Sequence, residues 1–310
     1  MSIGSAPTEV RVSEYAYVFT ADLPPVARVA PGELVDIFTE DAFESRVQGP
    51  EDLPTQVLNW PYLNPQTGPI HVEGAEPGDT LAVTIHEIEP MRDFAVSALI
   101  PEFGGLVGTG ATALLNEPLD EQVFIYPVGG GTVSLPRGIE IPYAPFVGTI
   151  ATAPEIEAIS TLTPGPFGGN MDVPDTGPGA TVHLPVKVPG AMFFTGDAHA
   201  AQGDGELCGV ACEITARVRV SFEVIKGQEI AWPRIVTAEE LMTVGSARPL
   251  EDAARIAWRE LIRWLVADYG FGTEAAYQLL TQAGRMRLGN MVDPQYSMVA
   301  RIERALLPGV

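Results

Sequence analysis

Glycine and proline constrain this chain more than any other feature, with 32 Gly and 28 Pro among 310 residues. Punctuation this dense caps the length of regular elements. Proline removes a backbone donor, and glycine weakens helix and strand interiors alike. Short elements joined by many turns favour β architecture. Three stretches share one small design. Pro31-Gly32-Glu33 leads into Leu34-Val-Asp-Ile-Phe38, and Pro77-Gly78-Asp79 leads into Leu81-Ala-Val-Thr-Ile85. Gly177-Pro178-Gly179 precedes Thr181-Val-His-Leu-Pro-Val186 in the same way. Each reads as a turn followed by an alternating strand, which fits the stacked sheets of a sandwich better than a solenoid.

The cleanest strand pattern lies at 214–224. Ile214, Val218, Val220, Phe222 and Val224 occupy one parity; Glu213, Thr215, Arg217, Arg219, Ser221 and Glu223 occupy the other. A period of two with one wet face is the expectation. Helix signals come late. Pro249 stands where a first helical turn would begin, and Leu250 to Asp268 carries few breakers. Ala254, Trp258, Leu261 and Leu265 form one apolar stripe, a second helix is expected from Thr273 to about Ala283, and Thr237 reads as the N-cap of a short helix. The Gly/Pro-rich stretch 128–180 is too long for a plain loop and is expected to hold short strands or site loops. The mainly β unit is assigned to 1–230, with most site motifs, and a C-terminal helical or α+β segment to 231–310, packed on it.

Forty acidic residues against 18 basic ones give a net charge of −22. Such a surface repels phosphate backbones and anionic lipid, so nucleic-acid and membrane partners are disfavoured. No apolar run approaches the ~18 residues of a membrane span. The N-terminal stretch from Met1 to Glu9 shows no basic or apolar leader pattern, and a cytoplasmic location is expected. Cys208 and Cys212 read as strand residues roughly 13 Å apart, beyond disulfide reach, and so as free thiols.

The chemistry concentrates in Gly196-Asp-Ala-His-Ala-Ala-Gln-Gly-Asp-Gly-Glu206. Three carboxylates, an imidazole and a carboxamide held among glycines read as a built polar cluster. On extended chain Asp197 faces the same side as His199, and Asp204 the same side as Glu206. A second cluster, Gly168-Gly169-Asn170-Met171-Asp172, reads as another wall of one site. In a third, Asn64 to Glu76, Glu73 is a candidate carboxylate at a strand end. No HExxH, HxH or CxxC framework occurs, so an all-nitrogen or thiolate zinc site is disfavoured. One histidine with several carboxylates suits zinc, manganese or calcium. His86 and His183 lie in strand patterns and read as structural. Gly-x-Ser-x-Gly, GxGxxG and P-loop patterns are absent, the triple glycine at 129–131 included.

Taken together, Gly196-Asp-x-His-Ala-x-Gln-Gly-Asp-Gly-Glu206, Gly168-Gly-Asn-Met-Asp172, Leu184-Pro-Val-x-Val-Pro-Gly-Ala191 and Thr67-Gly-Pro-Ile-x-Val-Glu-Gly-Ala-Glu-Pro-Gly-Asp79 closely resemble the acetamidase/formamidase family, in the same order along the chain and over roughly residues 15 to 308. The resemblance implies a β-sandwich-rich fold with a smaller C-terminal α+β part, often dimeric. It also implies hydrolysis of small linear amides to a carboxylate and ammonia, with metal bound in some members. The chain departs from the common pattern at Phe167 (often His), His183 (often Tyr) and Gln202 (often Met).

From residue chemistry, Asp172, Asp197 and His199 are the candidate ligands of a divalent metal, zinc ahead of calcium. Glu206 is the candidate general base, Asn170 and Gln202 are candidate oxyanion donors, and Glu73 is a candidate for orienting a ligand or binding the substrate NH₂. Hydrolysis of a cyclic amide, and a non-enzymatic sandwich holding a structural cation, stay open as alternatives.

Overall fold

The computed structural model describes residues 6–106 and 119–308, so the first five residues of the stretch read for a leader lie outside it. Two large sheets face each other. The first runs in the order Thr8–Val10, Leu34–Thr39, Ala216–Ile225, Thr80–Pro90, Thr181–Pro185, Arg234–Val236, Glu240–Ala247, Tyr296–Glu303 and Arg285–Leu288. All three turn-plus-strand repeats lead into this sheet, and Gly32, Gly78 and Gly179 each take the positive φ that their turns require. The second sheet has its centre at Phe193–His199. That strand is flanked by Phe146–Thr152 on one side and by Gln66–Val72 and Glu213–Ile214 on the other. Every residue of it is buried.

The core fills the space between the sheets. Val35, Ile37, Leu81, Val83, Ile85, Val220 and Phe222 of the first sheet meet Ile70, Val147, Ile150 and Phe193 of the second. Phe193 and Phe222 bridge the layers edge-to-face at 5.1 Å. The fold is therefore mainly β and sandwich-like, as the turn density implied, with short strands throughout 128–180. The alternation along 216–225 appears as read. Val218, Val220 and Phe222 point inward, while Arg217 and Arg219 pair outward with Asp36 and Glu87.

That alternation does not run back through Thr215. Glu213–Ile214 belongs to the second sheet and Ala216–Ile225 to the first, so the chain changes sheets at Thr215. Glu213, which parity placed on a wet face, is instead buried. Cys208 and Cys212 sit in a turn and a loop rather than a strand, and both are free.

The helix Leu250–Tyr269 forms nearly as predicted, with Glu251 and Asp252 in its first turn and Gly270 closing it at φ 70°. Its buried face is Ala253, Ala257, Glu260, Leu261, Trp264 and Leu265. The N-terminal half is thus rotated from the expected Ala254 and Trp258. The cause is a close approach to the strand Glu240–Ala247. A Cβ on Gly245 would lie 2.3 Å from the Ala253 carbonyl oxygen and 2.7 Å from the Ala257 nitrogen, so the helix backbone itself lies against the sheet there. Glu260 is tolerated inside because Arg234 donates to it at 2.8 and 3.1 Å. The second helix, Thr273–Ala283, is as read. Thr237 caps a hairpin turn and not a helix, its hydroxyl accepting from the Glu239 and Glu240 amides between Arg234–Val236 and Glu240–Ala247. The strands after residue 230 continue the first sheet directly, Arg234–Val236 pairing with Thr181–Pro185.

Because Phe222 is 1% exposed and locks the two layers together, Phe222→Ala should cost about 3–5 kcal/mol of stability, read from urea unfolding.

Candidate active site

At the His199 end of the central strand the fold gathers five carboxylates around one imidazole. Asp172, Asp197, His199, Glu206, Glu213 and Asp293 are all 7% exposed or less. Among the described residues none of the five acids is ion-paired to a lysine or arginine. Asp197 and His199 share a strand face, as their spacing implied, with His199 Nε2 3.3 Å from Asp197 Oδ1. The same nitrogen lies 3.2 Å from Glu213 Oε1, yet neither contact has hydrogen-bond geometry. Both oxygens of Asp172 are fully buried with no hydrogen-bond partner. Ligand atoms of Asp172, Asp197 and His199 lie within 4.8 Å of one another, and so do those of His199, Glu206 and Glu213.

The backbone is bent to make this possible. Asp172 (φ 49°), Asp197 (φ 56°) and Glu206 (φ 48°) occupy the left-handed region that most side chains avoid, and strain of this kind gathers at functional sites. Gly168, at φ 95°, starts the strand that carries Asn170, and a Cβ there would sit 2.2 Å from the Ile150 carbonyl oxygen. Gly148 on Phe146–Thr152 does something different. A Cβ at this position would stand 2.5 Å from Asp172 Oδ1, 2.6 Å from Asp197 Oδ2 and 3.0 Å from His199 Cε1. Glycine there keeps an open notch bounded by the candidate ligand triad. Sequence reading missed it, because a lone glycine inside a strand pattern signals no chemistry.

Electrostatics follow from burial and like charge. Burial and the neighbouring Asp197 push Asp172 up to about 7. Burial raises Glu213 to about 7, with His199 opposing and Asp197 adding to the rise. Glu206 and Asp293 are held well above the ordinary carboxylate range by burial and by Asp172. His199 shows the opposite balance: burial would lower it, but Glu213 and Asp197 together hold it well above its usual value. Burial likewise pushes Asp197 up, and the charge of His199 brings it below the ordinary range. A bound cation would replace this mutual repulsion with attraction.

Two hydrogen-bond systems fix the cluster. Gln202 donates both amide protons to backbone carbonyls, of Asp172 at 2.9 Å and Gly289 at 3.2 Å. Its Oε1 therefore faces His199 Nδ1 at 3.0 Å as the acceptor, which keeps a proton on Nδ1, so that in the neutral ring the lone pair lies on Nε2. Gln202 thus orients His199, and its donors are committed, contrary to the oxyanion role read from sequence. The second system is a chain of amides. Gln66 donates to Asn64 at 2.7 Å, Asn64 to Asn170 at 2.9 Å, and Asn170 to Asp293 at 2.9 Å. Thr149 donates to Asn170 Oδ1 as well and lies 3.3 Å from Asp197 Oδ2. Asn170 retains one N–H outside this chain.

Glu73 does not join the cluster. It is exposed, just past the end of Gln66–Val72 opposite Gln66, so the motif was located correctly but its functional end is Asn64 and Gln66. Asp204 also parts from Glu206. Gly205 and Glu206 both have positive φ, which sends Asp204 outward to Arg287 at 2.6 Å while Glu206 turns in. Glu213 and Asp293 are the acids that sequence reading passed over. Asp293 had a signal, because Gly289-Asn290-Met291-Val-Asp293 echoes Gly169-Asn170-Met171-Asp172. The two segments are joined in space, Asn290 Nδ2 donating to the carbonyls of Asn170 and Met171. Phe167 packs away from the cluster, against Phe19 at 5.5 Å. His183 lies 6.3 Å from Trp264 under the long helix, consistent with a structural role.

The model of the acetamidase/formamidase family matches residues 14–162 and 149–303, which together span most of the chain. The chain belongs to the acetamidase/formamidase family. A crystal structure of an acetamidase from Yersinia enterocolitica is similar at 46% identity and a TM-score of 0.93, covering 98% of this chain and 94% of that one. A Bacillus halodurans acetamidase structure is similar at 32% identity and a TM-score of 0.88, covering 95% and 97%. The acetamidase of Mycolicibacterium smegmatis is 26% identical over a match that covers 74% of this chain and 70% of that protein. The matched part spans 62% of two further curated relatives.

Gly148→Ala should place a methyl group in the notch and displace Asp172 or Asp197. Amide turnover should fall by about 10²-fold or more, with the far-UV circular dichroism spectrum unchanged.

Proposed function

We propose that this chain hydrolyses the C–N bond of small neutral amides, releasing ammonia, with a divalent metal held by Asp172, Asp197 and His199. Family membership supports the reaction class. The observation that carries the metal is Asp172, whose two buried oxygens lack any partner while facing Asp197 and His199 across a notch kept open by Gly148. A buried carboxylate left unpaired is strongly unfavourable, and coordination resolves it. One imidazole nitrogen whose tautomer is set by Gln202, with carboxylate oxygens, fits zinc better than calcium, which takes six to eight oxygens. When bound, the ion supplies Lewis-acid polarisation of the amide carbonyl and acidification of a water.

The chain's own residues supply the rest. Glu206 lies both in the cluster and on the wall of the adjoining cavity, where a substrate amide can reach it. It takes a proton from the water attacking the carbonyl carbon and returns it to the amide nitrogen. As the C–N bond breaks, its electron pair leaves with nitrogen; ammonia departs and the carboxylic acid remains, its proton passing to ammonia to give carboxylate and ammonium. Gln202 keeps the His199 ring in one orientation throughout. Asn170 is held rigid by Asn64, Thr149 and Asp293, and its remaining N–H is the candidate donor to the developing oxyanion.

The assay is ammonia release from formamide, acetamide and propionamide. Dialysis against a chelator should abolish turnover and lower the melting temperature, and zinc should restore both; turnover indifferent to chelation would shift the chemistry onto the carboxylates. Glu206→Gln should lower kcat by about 10²–10⁴-fold with an unchanged melting temperature in the metal-loaded protein. A fully active variant would remove Glu206 from this role.

A further inference from the structure

Beside the cluster lies a cavity of about 1090 Å³, far more than a two-carbon amide can fill. Acetamide occupies on the order of 100 Å³, three to four waters' worth at about 30 Å³ per water. Gln202 and Glu206 of the charged cluster form part of the cavity wall, and Cys212 lies one residue from Glu213. The wall as a whole is mostly apolar, with side chains such as Leu99, Tyr126, Leu135 and Ile141. Phe103 and Leu207 also line it, 38% and 54% exposed. The charged groups on the wall are Glu102, Asp204, Glu206 and Arg287. Arg287 is committed to Asp175 at 3.0 Å and Asp204 at 2.6 Å, so among the described residues no free cation on this wall awaits an anionic substrate.

Resting on the amidase reading, we infer that the preferred substrates are neutral primary amides whose carbonyl carbon bears a bulky apolar group, of branched-alkyl or arylalkyl size, seated in this cavity. A cavity whose wall is mostly apolar and includes the proposed proton-transfer carboxylate sorts its occupant by chemistry. The amide group points to Glu206 and the apolar body fills the rest. A single added methylene in such a pocket changes specificity by about tenfold or more.

The test compares kcat/KM for ammonia release from acetamide, butyramide, isovaleramide and phenylacetamide by the metal-loaded protein. The expected result is a rise along the series, with phenylacetamide at least tenfold above acetamide. Ala144, exposed on the cavity wall, can be enlarged at little risk to the fold. Ala144→Phe should lower the phenylacetamide-to-acetamide ratio by tenfold or more, and Leu207→Asp should lower it in the same direction. Acetamide turned over as well as or better than phenylacetamide would overturn the inference and leave the amidase reading intact. So would a ratio unchanged in both variants. No turnover of any amide would overturn the reading itself, and the inference with it.

Discussion

Five carboxylates confined out of water around a single imidazole is the arrangement on which the rest of this molecule depends. Like charges at such separations repel strongly in a poorly screened interior, and each group also loses its hydration. Left to itself, a cluster of this kind would open or take up protons. Here it is held by a fully buried central strand paired on both edges. Three of the acids sit on backbone that most residues avoid, and the surrounding sheet keeps them there.

The parts that hold the cluster come from distant stretches of chain. Asn64 and Gln66 enter from one neighbouring strand, Gly148 and Thr149 from another, and Asp172 from the end of a third. Glu213 is delivered by the crossing between sheets at Thr215, and Asp293 by a loop of the C-terminal segment. The chain of amides from Gln66 to Asp293 ties these stretches together through a directional set of hydrogen bonds. Hydrogen bonds in such a network reinforce one another, and the three buried carboxamides satisfy most of one another's polar groups, Gln66 Oε1 excepted. The C-terminal segment is therefore part of the site, and its strands extend the same sheet.

The cavity and the cluster are complementary surroundings for a polar bond attached to an apolar body. An apolar wall keeps water from competing for the charged groups and strengthens every electrostatic interaction at their edge. Glu206 stands at that border, part of the acidic cluster and part of the wall. The acidic surface of the whole protein has a separate consequence, disfavouring polyanions wherever the chain meets its surroundings.

Much of the architecture was legible from the sequence because it rests on local rules. Turn residues before alternating strands set the sandwich, and the composition of 250–269 and 273–283 set the two helices. The contiguous run from Asp197 to Glu206, together with Asn170 and Asp172, marked the centre of the site. Family motifs then named its chemistry. What local pattern could not decide was which end of a motif turns inward, and which residues from elsewhere complete the cluster. Glu73 and Asn64 share one motif, yet only the strand's pairing with Phe193–His199 decides that the Asn64 end reaches the acids. Glu213 obeyed the parity of the following strand until the chain changed sheets, and Asp204 and Glu206 parted at two residues of positive φ. The stripe of the long helix rotated because a glycine in the sheet let its backbone come close. Local sequence determined the elements and the chemical inventory, because propensity and periodicity act over a few residues. Only the tertiary structure decided which carboxylates share one space, because that depends on pairings between strands far apart in the chain.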